Sequence, residues 1–155
     1  MLTGYAQGDA RAQYNLGVMY GNGQGVAQNY AEALKWYKLA AAQGYASAQF
    51  NLGVLYAKGQ GVAQNYAEAL KWYKLAAAQG DARAQFNLAL MYDKGQGVAQ
   101  NYVKAHMWFN LVAVSGDNDA IEERVKVARR MTAQQIAQAQ QMASACQASH
   151  YKNCD

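Results

Sequence analysis

The stretch that decides the fold is Tyr30–Asn65, YAEALKWYKLAAAQGYASAQFNLGVLYAKGQGVAQN, which is followed at once by a near copy, Tyr66–Asn101. The two copies differ at six positions: Tyr45/Asp81, Ser47/Arg83, Gly53/Ala89, Val54/Leu90, Leu55/Met91 and Ala57/Asp93. A period of this length is typical of solenoids, in which each unit buries its apolar face against its neighbours. The sequence therefore predicts a repeat protein.

The composition indicates a folded, helical chain. Of its 155 residues, 52% are hydrophobic and 15% are charged, which is too apolar for disorder, and proline is absent. No apolar run is long enough to span a membrane, and no signal peptide is recognisable. Because Leu2–Gly8 aligns with the end of a repeat, Lys38–Gly44, we interpret the chain as a fragment that begins within a helix. A missing leader therefore says little about the native protein.

Each unit is predicted to contain two helices, named helix A and helix B here. Helix A covers about Asp9–Tyr20 in the first unit, and in the later copies Gly59 and Gly95 suit a left-handed helix end. Helix B begins at an asparagine that has a glutamate three residues later, as in Asn29 and Glu32, which predicts a capping box. The second copy repeats this pair as Asn65 and Glu68.

The chain is predicted to form one domain, residues 1–155. Its parts are repeats at about 9–44, 45–80 and 81–116, capping helices at 117–149 and a tail at 150–155. The cap is predicted because helix B of the third unit becomes apolar, with Met107 in the place of Lys71, so another segment must cover it. Thr132 and Gln135 predict a capping box at the last helix.

A longer pattern recurs along the chain: A-x-x-x-L-G-x-x-Y-x-x-G-x-G-V, then A-x-x-W-Y-x-x-A-A-x-x-G. The third unit departs from it, with Ala89 in the place of the helix A glycine and Val112 and Ala113 in the place of the alanine pair. In the second unit it is carried by Ala48, Leu52, Gly53, Tyr56, Gly59, Gly61, Val62, Ala69, Trp72, Tyr73, Ala76, Ala77 and Gly80. This pattern resembles the Sel1-like repeat family, relatives of the tetratricopeptide repeats. The resemblance implies an all-α, right-handed superhelix of helix pairs whose concave wall is made by the A helices. It also implies an adaptor that binds a protein or peptide, often exported from bacteria.

With the leucine, glycine and tyrosine of the pattern on the packing face, a second set of helix A residues is predicted to face the implied groove. The set is Arg11, Tyr14, Asn15 and Val18 in the first unit, Ser47, Phe50, Asn51, Val54 and Lys58 in the second, and Arg83, Phe86, Asn87, Leu90 and Lys94 in the third. An asparagine amide can pair with a peptide backbone, and an adjacent ring offers apolar area. The alternative is that the asparagines bond to neighbouring helices and the rings fill the core. The basic members favour an acidic partner or a C-terminal carboxylate.

All six differences between the copies fall in helix A or just before it, whereas helix B and the loop are identical. If the copies arose by duplication, divergence has collected on the predicted groove. A young duplication with few changes placed by chance would give the same picture.

No catalytic, metal or cofactor site is predicted. The GQG loops follow a helix, lack a G-K-[ST] ending and recur in every unit, so they are interpreted as turns. His106 occupies the position of Leu34 and Leu70, which predicts that it packs against neighbours. Nucleic-acid binding is not predicted, because the aromatic residues look like core and the lysines like a solvated face.

Cys146 and Cys154 are the only cysteines. Their spacing fits no usual metal site, and a disulfide between them would hold the tail on the last helix. We predict that this bond forms, which places the protein in an oxidising compartment such as the periplasm or the cell exterior.

The sequence therefore predicts a monomeric, non-enzymatic scaffold. The resemblance implies that it binds a protein segment along its A helices, at the bacterial envelope or in contact with a host. Two alternatives stay open: a hydrolase acting on cell-wall or penicillin-like substrates, and a purely structural module of a larger protein.

Overall fold

The computed structural model describes residues 8–154. The segment 2–7, interpreted above as the end of a repeat, lies outside the described residues. All regular structure in the described part is helical, in eight helices. They are α1 (Ala10–Asn22), α2 (Tyr30–Ala42), α3 (Ala46–Lys58), α4 (Tyr66–Ala78), α5 (Ala82–Lys94), α6 (Tyr102–Ala113), α7 (Asn118–Ala128) and α8 (Ala133–Ala148). Helices α1, α3 and α5 are the predicted A helices, and α2, α4 and α6 are the B helices.

The predicted asparagine caps of helix B form, but only one of the two hydrogen bonds of the capping box is made. The side chain of Asn29 accepts a hydrogen bond from the backbone N–H of Glu32 at 3.1 Å, as Asn65 does from Glu68. The return bond is not made, because the backbone N–H of Asn29 donates to the carbonyl of Tyr20 at 2.9 Å. The asparagine thus caps helix B and anchors the preceding helix A.

Helix A ends as predicted at glycines in the left-handed region. Gly59 and Gly95 have φ values of 67° and 66°, and Gly23 ends the first helix A in the same way. A side chain costs about 1–2 kcal/mol in this conformation, which explains why glycine recurs at this position.

The described chain divides into two compact units, one ending at Ala76 and the other beginning at Ala77. From here on they are called the first unit and the second unit, and the three sequence units are called repeats. In the first, α1 packs on α2 and α2 packs on α3. In the second, α6 packs on α5, α7 and α8. Each unit has a core built from the small and aromatic residues of the repeat pattern, such as Ala33 and Tyr37, or Ala105 and Trp108.

The C-terminal helices cover the third helix B, as its apolar residues predict. Met107 is fully buried and Val112 is buried in a cluster that includes Ala120 of α7. The helix that follows begins with a complete capping box, in which Thr132 and Gln135 each bond to the other's backbone N–H. This confirms that a helix pair outside the repeat closes α6.

His106 lies inside the second unit, with 3% of its surface exposed and no partner for its Nδ1 atom among the described residues. Burial and the nearby Arg124 lower its pKa below the usual 6.5. The unfolded chain therefore takes up the proton first, so the contribution of His106 to stability is complete above about pH 6.5 and decreases as the pH falls below it.

We expect His106→Leu, which restores the residue of the other two repeats, to stabilise the protein by about 1 kcal/mol, because it removes a buried polar atom that lacks a partner. The variant should also lose less stability than the wild type between pH 7.5 and pH 5.5. Urea unfolding of both proteins at the two pH values measures this. An equal pH dependence would show that His106 does not contribute to it.

Candidate partner-binding surface

The predicted groove residues, called the A wall below, all remain accessible. In α3, Phe50, Asn51 and Val54 are half-buried and Lys58 is exposed, whereas Leu52 is fully buried. The other members of the A wall, on α1, on α5 and at Ser47, are likewise half-buried or exposed. The helical period therefore separates buried packing residues from accessible ones, and the partner-binding role of the A wall stays a prediction.

Glycines bring the first two A helices close to their B helices. A Cβ atom on Gly17 would lie 2.6 Å from the ring of Tyr37, and a Cβ atom on Gly53 would lie 2.6 Å from the ring of Tyr73. Such a contact is shorter than packed carbon atoms allow, so only glycine fits while each tyrosine keeps its position. This contact is the physical reason for the glycine in the repeat pattern.

The aromatic rings of the A wall pack on aromatic rings of the B helices, and the angle between the rings differs in the third repeat. The pairs are Tyr14–Tyr37 at 6.0 Å and 36°, Phe50–Tyr73 at 5.9 Å and 37°, and Phe86–Phe109 at 5.4 Å and 69°. The edge-on pair occurs in the third repeat, where Ala89 stands at the position of Gly17 and Gly53. The rings therefore serve the packing on one side and remain partly accessible on the other, which combines the two interpretations given above.

The asparagine of the second A helix has a partner inside the protein. The side chain of Asn51 hydrogen-bonds to the hydroxyl of Tyr37. Burial raises the pKa of this hydroxyl, and the bond from Asn51 opposes that rise. Because an amide has two donor hydrogens and a carbonyl acceptor, one such bond leaves capacity for a ligand. Asn51 thus holds neighbouring helices together and is still half-buried at the surface.

Tyr45 is a candidate residue that the sequence reasoning missed. It stands directly before α3, where Asp9, Asp81 and Asp117 accept a backbone hydrogen bond and cap their helices. Tyr45 makes no such bond, and its ring lies 5.2 Å from the ring of Tyr14. Since a missing cap costs about 1 kcal/mol, the tyrosine adds aromatic surface at the expense of helix stability.

Structural contacts account for several of the six differences between the copies. Asp81 caps α5, Asp93 pairs with Arg130 of the C-terminal segment at 3.1 Å, and Ala89 accompanies the edge-on ring. Leu55 and Met91 are both buried, and their exchange is a core substitution. The hypothesis that divergence collects on the A wall therefore applies to two differences only, Ser47/Arg83 and Val54/Leu90.

Each unit has a cleft beside its A wall. The first-unit cleft, about 210 Å³, is lined mainly by Asn22, Tyr30, Tyr37, Asn51, Val54 and Lys58. The second-unit cleft, about 280 Å³, is lined mainly by Arg83, Phe86, Asn87, Val112, Asp117 and Asp119. The two clefts differ in charge, because only the second one contains carboxylates.

Two sets of glutamines were also missed by the sequence reasoning. Gln49 donates to the carbonyl of Ala41 at 3.3 Å, and Gln85 donates to that of Ala77 at 3.1 Å. Both side chains are buried and satisfy carbonyls in the last turn of helix B. The loop residues Gln28, Gln64 and Gln100 do the same for helix A, at 2.7–2.8 Å. The sequence did contain a signal for this role, because these glutamines recur at the same positions of the repeat.

The tail returns to the last helix. Cys146 and Cys154 are buried and lie at disulfide distance, with their Cα atoms 4.7 Å apart. Between them His150 and Tyr151 have positive φ values of 56° and 66°. The ring of Tyr151 lies against Gly80, where an added Cβ atom would be 3.4 Å from it. The spacing of the cysteines therefore supports the predicted bond.

Metal-binding groups and membrane-spanning helices are both absent from the described part of the chain. Between residues 8 and 154, no three His, Cys, Asp or Glu side chains are grouped so that they could hold a metal ion. Over the same residues, no helix has the length and apolar character that a membrane crossing requires.

The helix pairs, glycine contacts and capping helices define an α-helical repeat protein, and the comparisons identify its family. The Sel1 repeat matches residues 10–45, 46–81 and 82–113. The chain belongs to the Sel1 repeat family, which confirms both the resemblance and the predicted fold class. Proteins of this family generally mediate protein–protein interactions and are typically non-catalytic scaffolds.

Two solved structures are similar to this chain. One is a protective antigen present in uropathogenic Escherichia coli strains that displays an SLR fold, with 34% identity and a TM-score of 0.84. That match covers 94% of this chain and 32% of the antigen, so the chain spans about a third of the antigen's length. The other is a Sel1 repeat protein from Oxalobacter formigenes, with 38% identity, a TM-score of 0.72, and coverage of 81% and 95% respectively. No curated protein sequence gives a significant match.

Proposed function

We propose that this protein is a non-enzymatic scaffold that binds a segment of another protein along its A wall. The proposal rests chiefly on one recurring observation. Each helix A presents a partly accessible ring followed by an asparagine, as Tyr14 and Asn15 do in α1, and no other side chain covers them completely. The family's general role in protein–protein interaction supports the proposal.

The chemistry of these positions suits an extended peptide. An amide offers a donor and an acceptor to a peptide bond, and the neighbouring ring offers apolar area to a side chain. The rings are held in place by their contacts with helix B, so little side-chain freedom is lost on binding. A surface prepared in this way favours binding without a large rearrangement.

We further propose that the protein acts as a monomer outside the cytoplasm, at the bacterial envelope or in contact with a host. The cysteine pair at disulfide distance supports an oxidising compartment. The proposed role requires no catalysis, and no observation in the described residues favours the hydrolase alternative. A purely structural module would have no partner on its A wall. The experiment below therefore distinguishes that alternative from the proposed scaffold.

Photo-cross-linking in the producing cells tests the proposal, because it captures a partner whatever its identity. A photoreactive phenylalanine analogue replaces Phe50 or Phe86 on the A wall, and Leu39 or Leu75 as controls on helix B. The controls are matched because both leucines are exposed apolar side chains of the same repeats. After irradiation, we expect discrete protein adducts from the A wall positions only. Adducts from the helix B positions alone would contradict the proposal.

A further inference from the structure

The first-unit cleft has a charge that nothing in the described structure neutralises. Lys58 lines this cleft, its side chain is exposed, and none of its described contacts is an ion pair. No carboxylate lines the cleft. The two A helices of this unit, α1 and α3, carry only Arg11 and Lys58 as charged side chains. The A helices of the first unit therefore carry two cations and no carboxylate.

Hydrogen-bonding groups stand beside this cation. The amides of Asn22 and Asn51 and the hydroxyl of Tyr37 line the same cleft. Amides and hydroxyls donate to a carboxylate while an amide carbonyl accepts from a peptide N–H. Together with the lysine they suit a carboxylate that has a peptide group next to it, since charge-assisted hydrogen bonds are the stronger ones.

Besides these groups and the polar side chain of Gln60, apolar side chains also line the cleft. The rings of Tyr30 and Tyr37 and the side chain of Val54 share a space of about 210 Å³ with the polar groups. The last residue of a chain presents an α-carboxylate and a side chain from one Cα atom, so it matches a small cleft with both linings. The side chain of an internal aspartate or glutamate has no apolar group beyond its carboxylate.

We infer that the first-unit cleft binds the C-terminal residue of the partner, with Lys58 and the neighbouring amides holding its α-carboxylate and the tyrosine rings holding an apolar side chain. This inference deepens the proposed function and rests on it. The part of the partner that binds elsewhere on the A wall would be the residues that precede this C-terminus.

The second-unit cleft shows why the inference applies to the first unit alone. Asp117 and Asp119 line that cleft and repel an anion. Its cation, Arg83, pairs with Asp81 at 2.9 Å and is therefore partly neutralised. The two clefts share the asparagine position of helix A, Asn51 and Asn87, but of these two clefts only the first has an unneutralised cation beside its amides.

The test uses the full chain and a library of random octapeptides displayed with free C-termini. Selected sequences are synthesised as acids, as C-terminal amides, and as amides with an added internal glutamate, and their affinities are measured by fluorescence anisotropy. We expect the amides to bind at least about tenfold more weakly than the acids, equivalent to about 1.4 kcal/mol. Lys58→Gln should weaken binding of the acids by a similar factor.

Lys35→Gln is the control, because Lys35 is an exposed lysine of α2 that lies outside the A wall and does not line the first-unit cleft. Its affinity for the acids should stay within about twofold of the wild type, which is small on the scale of one hydrogen bond. The inference would be overturned by equal binding of acids and amides, by full rescue through an internal glutamate, by equal effects of the two lysine variants, or by a library that yields no binder. Cross-linking at the A wall tests the broader function separately, so a failure of the cleft inference alone is distinguishable from a failure of the proposed function.

Discussion

Loss of the bond between Cys146 and Cys154 is expected to lower the free energy of unfolding by about 2–3 kcal/mol. The two cysteines are eight positions apart, and closing so short a loop restricts the unfolded chain. The folded protein loses little by comparison, because backbone hydrogen bonds also hold the tail on the last helix, such as that from the Tyr151 N–H to the Cys146 carbonyl at 2.9 Å.

The measurement is urea unfolding of the wild type with and without reductant. The control is the Cys146→Ser, Cys154→Ser double variant, which should unfold at the reduced wild type's midpoint whether or not reductant is present. Intact mass of the non-reduced protein should be about 2 Da below that of the reduced form, since a disulfide lacks two hydrogens. Two free thiols in the non-reduced protein, or no change on reduction, would contradict the prediction.

Gly53→Ala is expected to lower the free energy of unfolding by about 1–3 kcal/mol, although alanine is the better helix former by about 1 kcal/mol. The new methyl group would lie 2.6 Å from the ring of Tyr73, so the ring has to move from its packed position. Thermal or urea unfolding of the purified variant measures the effect.

Gly21→Ala is the matched control, because Gly21 also lies in a helix A but has room for a methyl group, with its nearest neighbour at 3.6 Å. This variant should gain up to about 1 kcal/mol from helix propensity. The third repeat suggests a second substitution that would restore stability, because it has Ala89 and Phe109 at the positions of Gly53 and Tyr73. A phenylalanine at position 73 has no hydroxyl group to place, so its ring can turn towards the edge-on packing of the Phe86–Phe109 pair, and Tyr73→Phe should recover part of the stability that Gly53→Ala loses. A stabilised Gly53→Ala protein would show that the glycine contact does not explain the repeat pattern.

The fold could be predicted because its signals are local and recur three times. An asparagine before a helix and a glycine after one act through their own backbone neighbours, and both formed as predicted. The capping box was predicted in full but is half formed, because the N–H of Asn29 bonds to Tyr20, nine positions earlier. Such a competitor is a tertiary contact that the spacing of Asn29 and Glu32 does not encode.

The A wall could be predicted less completely, for a related reason. The helical period separates accessible from buried positions, and this separation is what the structure shows. What each accessible side chain contacts depends on neighbouring helices, as with Asn51 and the Tyr37 hydroxyl. The charge of each cleft likewise depends on loops and caps, such as Asp117 at the start of α7. The difference between the two units therefore emerged only from the structure.

The central claim is that the A wall, and not helix B, receives the partner. The most direct test is the ratio of photo-cross-linked adduct at Phe86 to that at Leu75, two partly accessible positions on different helix types. Our account predicts a discrete adduct at Phe86, with only background at Leu75. Equal yields at the two positions, or an adduct at Leu75 alone, would contradict it.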